Sequence, residues 1–138
     1  MTQENKELLL KDLCARLPYS VKYFDTLNPK EQPSTLESID ACGLVMNTNG
    51  DSHYMEYIKP YLIPLSSMTE EQILEFEDIN RNIYNFFKNA DGNSVEKHQK
   101  SVIELQRMRC DWLNKNHFDY RGLIEKGLAI DATGQNIY

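Results

Sequence analysis

The chain changes its pattern near Ser66, with the signals of β-strands before this point and those of helices after it. Between residues 18 and 62, short stretches rich in aromatic and β-branched residues alternate with turn residues, which is typical of strands. Between residues 67 and 129, apolar residues recur every three or four positions, which predicts helices. Strands followed by helices predict an α+β fold. Because a small sheet needs helices to cover its apolar face, we expect residues 1–138 to form a single domain.

The strongest local signal in the strand-rich part is a hairpin at Asn49-Gly50. This dipeptide supplies the two positive φ angles that a type I′ turn requires. Counting outward from the turn pairs Val45 with Tyr54, and an aromatic side chain opposite a β-branched one is a favourable cross-strand pair. The hairpin therefore predicts an antiparallel sheet with this register.

Two further stretches have strand-like sequences. Residues 20–24 are short, aromatic and β-branched, and residues 35–39 alternate between polar and apolar side chains as a half-buried strand does. Residues 60–64 are apolar but lie between two prolines, and we interpret them as a connector. We therefore expect a small antiparallel sheet of three to four strands, packed against the predicted helices.

Residues 3–17 predict an N-terminal helix that ends before Pro18, because the residue preceding a proline is disfavoured in the helical conformation. Its predicted apolar stripe consists of Leu10, Leu13, Cys14 and Leu17. The charged residues Asp12 and Arg16 fall on the other side of the helix and are expected to face solvent.

The helical part predicts an antiparallel helical hairpin followed by a short last helix. A capping box from Ser67 to Glu70 starts the second helix, which is expected to end near Asn89. The pair Asp91-Gly92 predicts the turn, and Asn93 is expected to cap the third helix. Residues 120–128 predict the short last helix.

Composition narrows the class of partner. The net charge is −6 and the pI is near 5.0, whereas proteins that bind double-stranded nucleic acid present a basic face to the phosphates. The N-terminal residues lack the pattern of a secretory signal, and no apolar run is long enough to span a bilayer. We therefore expect a soluble cytoplasmic protein that binds neither duplex nucleic acid nor membrane.

The cysteines and histidines do not predict a metal or cofactor site. The cysteines are odd in number and widely spaced, at Cys14, Cys42 and Cys110, and none forms a CxxC pair. This spacing indicates reduced thiols rather than a disulfide framework. No two histidines lie four residues apart on a helix, as paired zinc ligands often do. We expect no metal ion and no cofactor.

The densest polar cluster lies at residues 111–121. One interpretation makes His117 a general base that is oriented by Asp119 or Tyr120, while Arg121 holds an anion. The alternative is structural: Asn116 ends one helix, Asp119 caps the next, and the neighbouring aromatic residues are core. We favour the structural interpretation, because catalysis needs groups that converge from several segments.

Tyrosines are frequent in the strand-rich part, and we single out Tyr23, Tyr54 and Tyr57 as candidate interface residues. Aromatic side chains on an exposed sheet face can anchor a protein partner or stack against single-stranded bases. The acidic charge balance favours the protein partner.

Three stretches resemble a family of small uncharacterised proteins from gut Bacteroides-type bacteria. They are residues 6–19 (KELLLKDLCARLPY), 59–71 (KPYL to PLSSMTEE) and 111–129 (DWLNKNHFDYRGLIEKGLA), which together cover a little under half of the chain. The resemblance implies no catalytic residues. It implies an association with prophages or mobile elements.

From these patterns we expect a non-enzymatic protein-interaction protein. Its protein partner is not specified by the sequence, and a homodimer is one alternative. Two other functions remain open, a small hydrolase that uses His117 with Asp119 or Tyr120, and a protein that binds single-stranded nucleic acid through the strand tyrosines.

Overall fold

The computed structural model describes residues 1–89 and 95–138, and for residues 83, 84, 86–89 and 95–101 it describes the backbone alone. The elements follow in the order α1 (Gln3–Arg16), β1 (Lys22–Asp25), β2 (Ser34–Ile39), β3 (Leu44–Asn47), β4 (Ser52–Tyr54), β5 (Ile58–Pro64), α2 (Glu70–Asn89), α3 (Val95–Lys115), β6 (Phe118–Asp119) and β7 (Ile130–Asp131). Short 3₁₀ helices occupy Leu17–Tyr19, Met55–Tyr57 and Leu65–Ser67. The chain divides into two compact units, residues 1–67 with 117–138 and residues 68–116.

The first unit is built on a sheet that has seven strands within the described part of the chain. Their order is β4-β3-β2-β1-β5-β6, and β7 also pairs with β5. The first five strands pair antiparallel, whereas β6 and β7 run parallel to β5. The prediction of an α+β fold is confirmed. The prediction of three to four purely antiparallel strands is wrong.

The additional strands were hidden by prolines and by their length. Residues 60–64, predicted as a connector, form most of β5. Pro64 ends this strand, and Pro60 precedes its pairing with β7, which starts at Tyr61, so neither missing amide hydrogen interrupts that ladder. Strands β6 and β7 have two residues each, which is too short for an alternating pattern to be recognised.

The antiparallel part of the sheet curls toward a barrel. The register between β2 and β3 shifts between Leu36 and Ser38, and such an irregularity bends a strand. Strands β4 and β1 are separated by two others, yet Nδ1 of His53 on β4 lies 3.3 Å from Oδ2 of Asp25 on β1. In a flat sheet, strands three positions apart are separated by about 14 Å.

The interior of this curled sheet is covered by α1 and by the C-terminal segment. The buried apolar side chains that pack together there include Leu9, Leu13, Val21, Tyr23, Leu36, Val45, Ile58, Leu62, Leu123 and Leu128. The sheet and the first and last segments of the chain therefore share one core.

The predicted hairpin is present, but its register and its turn differ from the prediction. Strands β3 and β4 pair Val45 with His53 instead of Tyr54. Asn49 does not have the positive φ that a type I′ turn requires. The side-chain oxygen of Asn47 accepts hydrogen bonds from two loop amides at 2.9 and 3.0 Å. This side-chain closure stabilises a wider loop, and the register shifts by one residue.

Helix α1 is one residue shorter than predicted, and its buried stripe is rotated. The buried residues are Leu9, Asp12, Leu13 and Arg16. Cys14, predicted to be buried, is exposed. Asp12 and Arg16, predicted to face solvent, are fully buried. The prediction failed because hydrophobic spacing places charged residues outside, whereas these two neutralise each other one helical turn apart.

Residues 120–128, predicted as a short last helix, form a series of turns. Gly122 and Gly127 have φ angles of +71° and +72°, which lie outside the right-handed helical region. The carboxylate of Asp119 accepts hydrogen bonds from the amides of Leu123 and Ile124, both at 2.9 Å. The carboxylate therefore closes a loop where a helix was expected.

The second unit is an antiparallel pair of helices, as predicted for a helical hairpin. Helix α2 starts with a capping box two residues later than expected, in which Thr69 and Gln72 exchange hydrogen bonds of 3.0 and 3.2 Å. The predicted turn at Asp91-Gly92 and the predicted cap at Asn93 lie outside the described residues.

Candidate functional site

The polar cluster predicted as a candidate site surrounds a buried ion pair on α1. Nε and Nη2 of Arg16 donate to the two carboxylate oxygens of Asp12 at 2.7 and 3.1 Å. Nη2 also donates to the carbonyl oxygen of Phe118 at 2.7 Å. Because Phe118 lies 102 positions further along the chain, the ion pair ties the first helix to the C-terminal segment.

Arg121 and Tyr120 complete this network. Nη1 of Arg121 donates to Oδ1 of Asp12 at 3.1 Å, so one carboxylate serves two guanidinium groups. The guanidinium carbons of Arg16 and Arg121 lie 5.4 and 4.8 Å from the centre of the Tyr120 ring. Contact with an aromatic ring stabilises a cation, most strongly away from water. Arg121, which we predicted to hold an anion, therefore binds a carboxylate of the chain itself.

His117 packs against the last residue of the chain. Its ring and that of Tyr138 are stacked at a centroid distance of 3.5 Å with an angle of 8°. The Tyr138 hydroxyl donates to the carbonyl oxygen of Tyr61 and accepts from the amide of Lys22, at 2.8 and 2.9 Å. Burial of this hydroxyl raises the pKa of Tyr138 to about 12. These contacts join the C-terminus to strands β1 and β5.

His117 is held in its neutral form. Nδ1 of the ring is buried and makes no hydrogen bond within the described residues. Burial, together with the positive charges of Arg16 and Lys22, lowers the pKa of His117 to about 4. The backbone of His117 also has a left-handed φ of +62°, which is uncommon outside glycine and asparagine.

We expect this histidine to make the fold sensitive to acid. In the unfolded chain a histidine has a pKa of about 6.5, so the unfolded state binds more protons between pH 6.5 and 4. Neutral His117 makes its full contribution to the free energy of unfolding above pH 6.5. This contribution is lost as the pH falls, by up to about 3 kcal/mol at pH 4. Urea unfolding of the wild type and of His117→Asn, a residue that accepts the left-handed φ, measures this directly. The difference in the free energy of unfolding between the wild type and His117→Asn should shrink by about 3 kcal/mol from pH 7 to pH 4. A constant difference would contradict the assignment.

The structure does not join His117, Asp119 and Arg121 into one catalytic arrangement. Both carboxylate oxygens of Asp119 accept backbone amides, as described above. Within the described residues, Nδ1 of His117 faces no carboxylate, and Arg121 donates to Asp12. The contacts described for these three residues connect segments of the chain.

A different histidine does face a carboxylate, and the sequence did not reveal it. Besides the 3.3 Å contact with Asp25, the ring of His53 lies edge-on to that of Tyr23 at 5.9 Å. Burial alone would raise the pKa of Asp25, but hydrogen bonds from Asn28 and the Leu27 amide, together with the charge of His53, hold it below its usual value. This contact closes the curl of the sheet, and its members meet because the curl brings β4 close to β1 although two strands lie between them.

The three predicted interface tyrosines have different surroundings. Tyr23 is fully buried in the core, and burial raises the pKa of its hydroxyl. Tyr54 and Tyr57, by contrast, are 60% and 41% exposed. Only these two can therefore contact a partner while the fold is intact.

The contacts described between side chains of α2 and α3 join the first half and the middle of α2 to the second half of α3. The rings of Phe76 and Trp112 lie 5.3 Å apart, and the Trp112 indole donates to Glu75 at 3.3 Å. Further along, Arg109 donates to the side-chain oxygen of Asn80. These pairs define the line along which the two helices touch.

Large apolar side chains remain exposed on this hairpin. Among the described residues they are Ile73, Leu74, Val102, Ile103 and Met108, which we call the hairpin surface. Of the described side chains of α2 and α3, only Leu113 and Asn114 are buried. Two amphipathic helices alone cannot bury both of their apolar sides, so the hairpin has more apolar surface than it covers.

Among the described residues, no group of three or more histidine, cysteine, aspartate or glutamate side chains could hold a metal ion. No helix in that part of the chain is both long enough and apolar enough to cross a membrane. No protein-family model, no curated protein and no solved structure matches this chain.

Proposed function

We propose that this chain is a non-enzymatic protein-interaction protein and that the hairpin surface is where its partner binds. The observation that carries the proposal is the exposure of five large apolar side chains, within the described residues, on two adjacent helices. Adjacent exposed apolar side chains are uncommon on monomeric proteins and mark interaction sites. Leu74 and Ile103 are the most exposed of the five, at 59% and 65%.

The contacts described for His117 and Asp119 do not favour the hydrolase alternative. A general base needs a partner that orients it and a nucleophile within hydrogen-bonding distance. His117 stacks on Tyr138 instead, and the carboxylate of Asp119 is occupied by two amides. The nucleic-acid alternative would rely on Tyr54 and Tyr57, and it also has to overcome the net charge of −6.

A capture experiment with paired variants tests the proposal. The tagged full chain is expected to recover a specific protein from its native cell extract, identified by mass spectrometry. Replacing Leu74 and Ile103 with glutamate should abolish recovery, because it places charge on the two most exposed apolar side chains of the hairpin surface. Replacing Tyr54 and Tyr57 with serine is the matched control on the other unit. Loss of recovery in the control, but not in the hairpin variant, would contradict the proposal.

A further inference from the structure

Two apolar side chains of the hairpin surface, Ile73 and Val102, lie on the same flank of the helix pair. Ile73 precedes Phe76 by three residues, and Val102 precedes Leu105 by three. Phe76 lies on the contact line, and Leu105 shares a helical stripe with Arg109 and Trp112, which also lie on it. When two helices pack antiparallel, residues that precede the contact line by the same number of positions lie on the same side of the helix pair. Leu74 and Ile103 follow Ile73 and Val102 by one residue, so each lies about 100° further around its helix, away from the contact line.

The two helices carry opposite charge. Helix α2 contains five acidic and two basic residues, and α3 contains five basic and three acidic residues. Some charges pair within a helix, as Asp78 does with Arg81 and Glu104 with Arg107. The remaining excess still makes α2 acidic and α3 basic. A pair of helices with one acidic and one basic member is complementary in charge to a second copy of itself turned by 180°.

We propose that a second copy of this chain covers the hairpin surface, with α2 of each protomer packed against α3 of its partner in a four-helix bundle. The proposal rests on the function proposed above and names the partner. Helices of 20 and 21 residues are about 30 Å long, so four of them form a bundle of ordinary length. The acidic side of one hairpin meets the basic side of the other, whereas a bundle with α2 against α2 would place like charges together.

Light scattering coupled to size-exclusion chromatography of the full chain tests the association. The protomer mass is 16.1 kDa, and we expect twice this value at concentrations near 100 µM, falling toward 16.1 kDa on dilution. Ile73→Glu and Val102→Glu should each weaken the dimer by about tenfold or more, because both side chains lie on the flank that the second copy covers. Leu27→Glu is the matched control, because Leu27 is 61% exposed on the other unit and should leave the dimer unchanged.

Charge inversion tests the arrangement. One variant inverts α2 through Glu71→Lys and Glu77→Lys, and the other inverts α3 through Arg107→Glu and Lys115→Glu. Each alone should be monomeric, because α2 and α3 of opposing protomers then repel each other. A mixture of the two variants should form a heterodimer, in which one α2–α3 contact is inverted on both sides and the other is unchanged on both sides. Circular dichroism confirms that each variant is folded.

Two results would overturn the inference. A wild-type mass of 16.1 kDa at 100 µM excludes the dimer. Dimers that form equally well from both inverted variants exclude the packing of α2 against α3. In either case the capture experiment separates this inference from the proposed function. Recovery of another protein that depends on Leu74 and Ile103 would leave the interaction function standing with a different partner.

Discussion

Replacing Asp12 with alanine is expected to lower the free energy of unfolding by about 3–5 kcal/mol, which is the cost of breaking a buried ion pair. The carboxylate accepts hydrogen bonds from both Arg16 and Arg121, and Arg16 has no access to water. Without Asp12, the Arg16 guanidinium stays buried with the Phe118 carbonyl as its remaining hydrogen-bond acceptor. Urea unfolding followed by circular dichroism measures the change.

A control and a double variant separate the ion pair from general effects on α1. Glu7→Ala removes an exposed carboxylate from the same helix and should cost no more than about 0.5 kcal/mol. Combining Asp12→Ala with Arg16→Met should be less destabilising than the sum of the single variants, with a coupling of about 1–3 kcal/mol. Additive effects would show that the two side chains do not act together.

Leu9→Ala is expected to destabilise the protein by about 2–5 kcal/mol, the usual range for removing a buried leucine side chain. Leu9 is fully buried among the core residues, whereas its neighbour Leu10 is only partly buried. Leu10→Ala is the matched control and should cost clearly less. Hydrophobic spacing alone predicts that Leu10 is the buried residue. The rotated stripe of α1 would be contradicted if Leu10→Ala lowered the free energy of unfolding as much as Leu9→Ala, or more.

The parts of the fold that the sequence predicted correctly depend on local signals. The end of α1 lies within one residue of the predicted position, although Leu17 keeps right-handed helical angles and the chain continues through Pro18 as a 3₁₀ helix. The end of α2 near Asn89 follows from its helical spacing. The capping box was recognised as a pattern but was placed two residues early, because Ser67 and Thr69 both begin an acceptable match. Local signals of this kind locate elements to within a few residues.

The parts that the sequence did not predict depend on distant partners. The buried pair of Asp12 and Arg16 is stabilised by a carbonyl group 102 residues away from Arg16 and by Arg121, which donates to Asp12 from the same distant segment. The closure of the sheet depends on the contact between Asp25 and His53, and the spacing of these residues along the chain does not predict it. The turn at Asn49-Gly50 was mispredicted because the side chain of Asn47 offered the loop amides a stronger local partner.

The same distinction applies to the candidate site. The sequence located the unusual segment around His117, Asp119 and Arg121, since its polar and aromatic density is a local property. It could not show that Asp119 binds two backbone amides or that Arg121 meets a carboxylate from α1. The hairpin surface was missed for a related reason, because a helical stripe looks the same whether it is covered or exposed.

Hydrogen exchange of the full chain, measured by mass spectrometry at two protein concentrations, tests most directly whether the hairpin is the interaction surface. Protection from exchange should rise with concentration in peptides from α2 and α3, because association stabilises these helices. Peptides containing Tyr54 and Tyr57, or His117, should exchange at the same rate at both concentrations. Protection that rises around the two tyrosines and not in α2 and α3 would contradict the account.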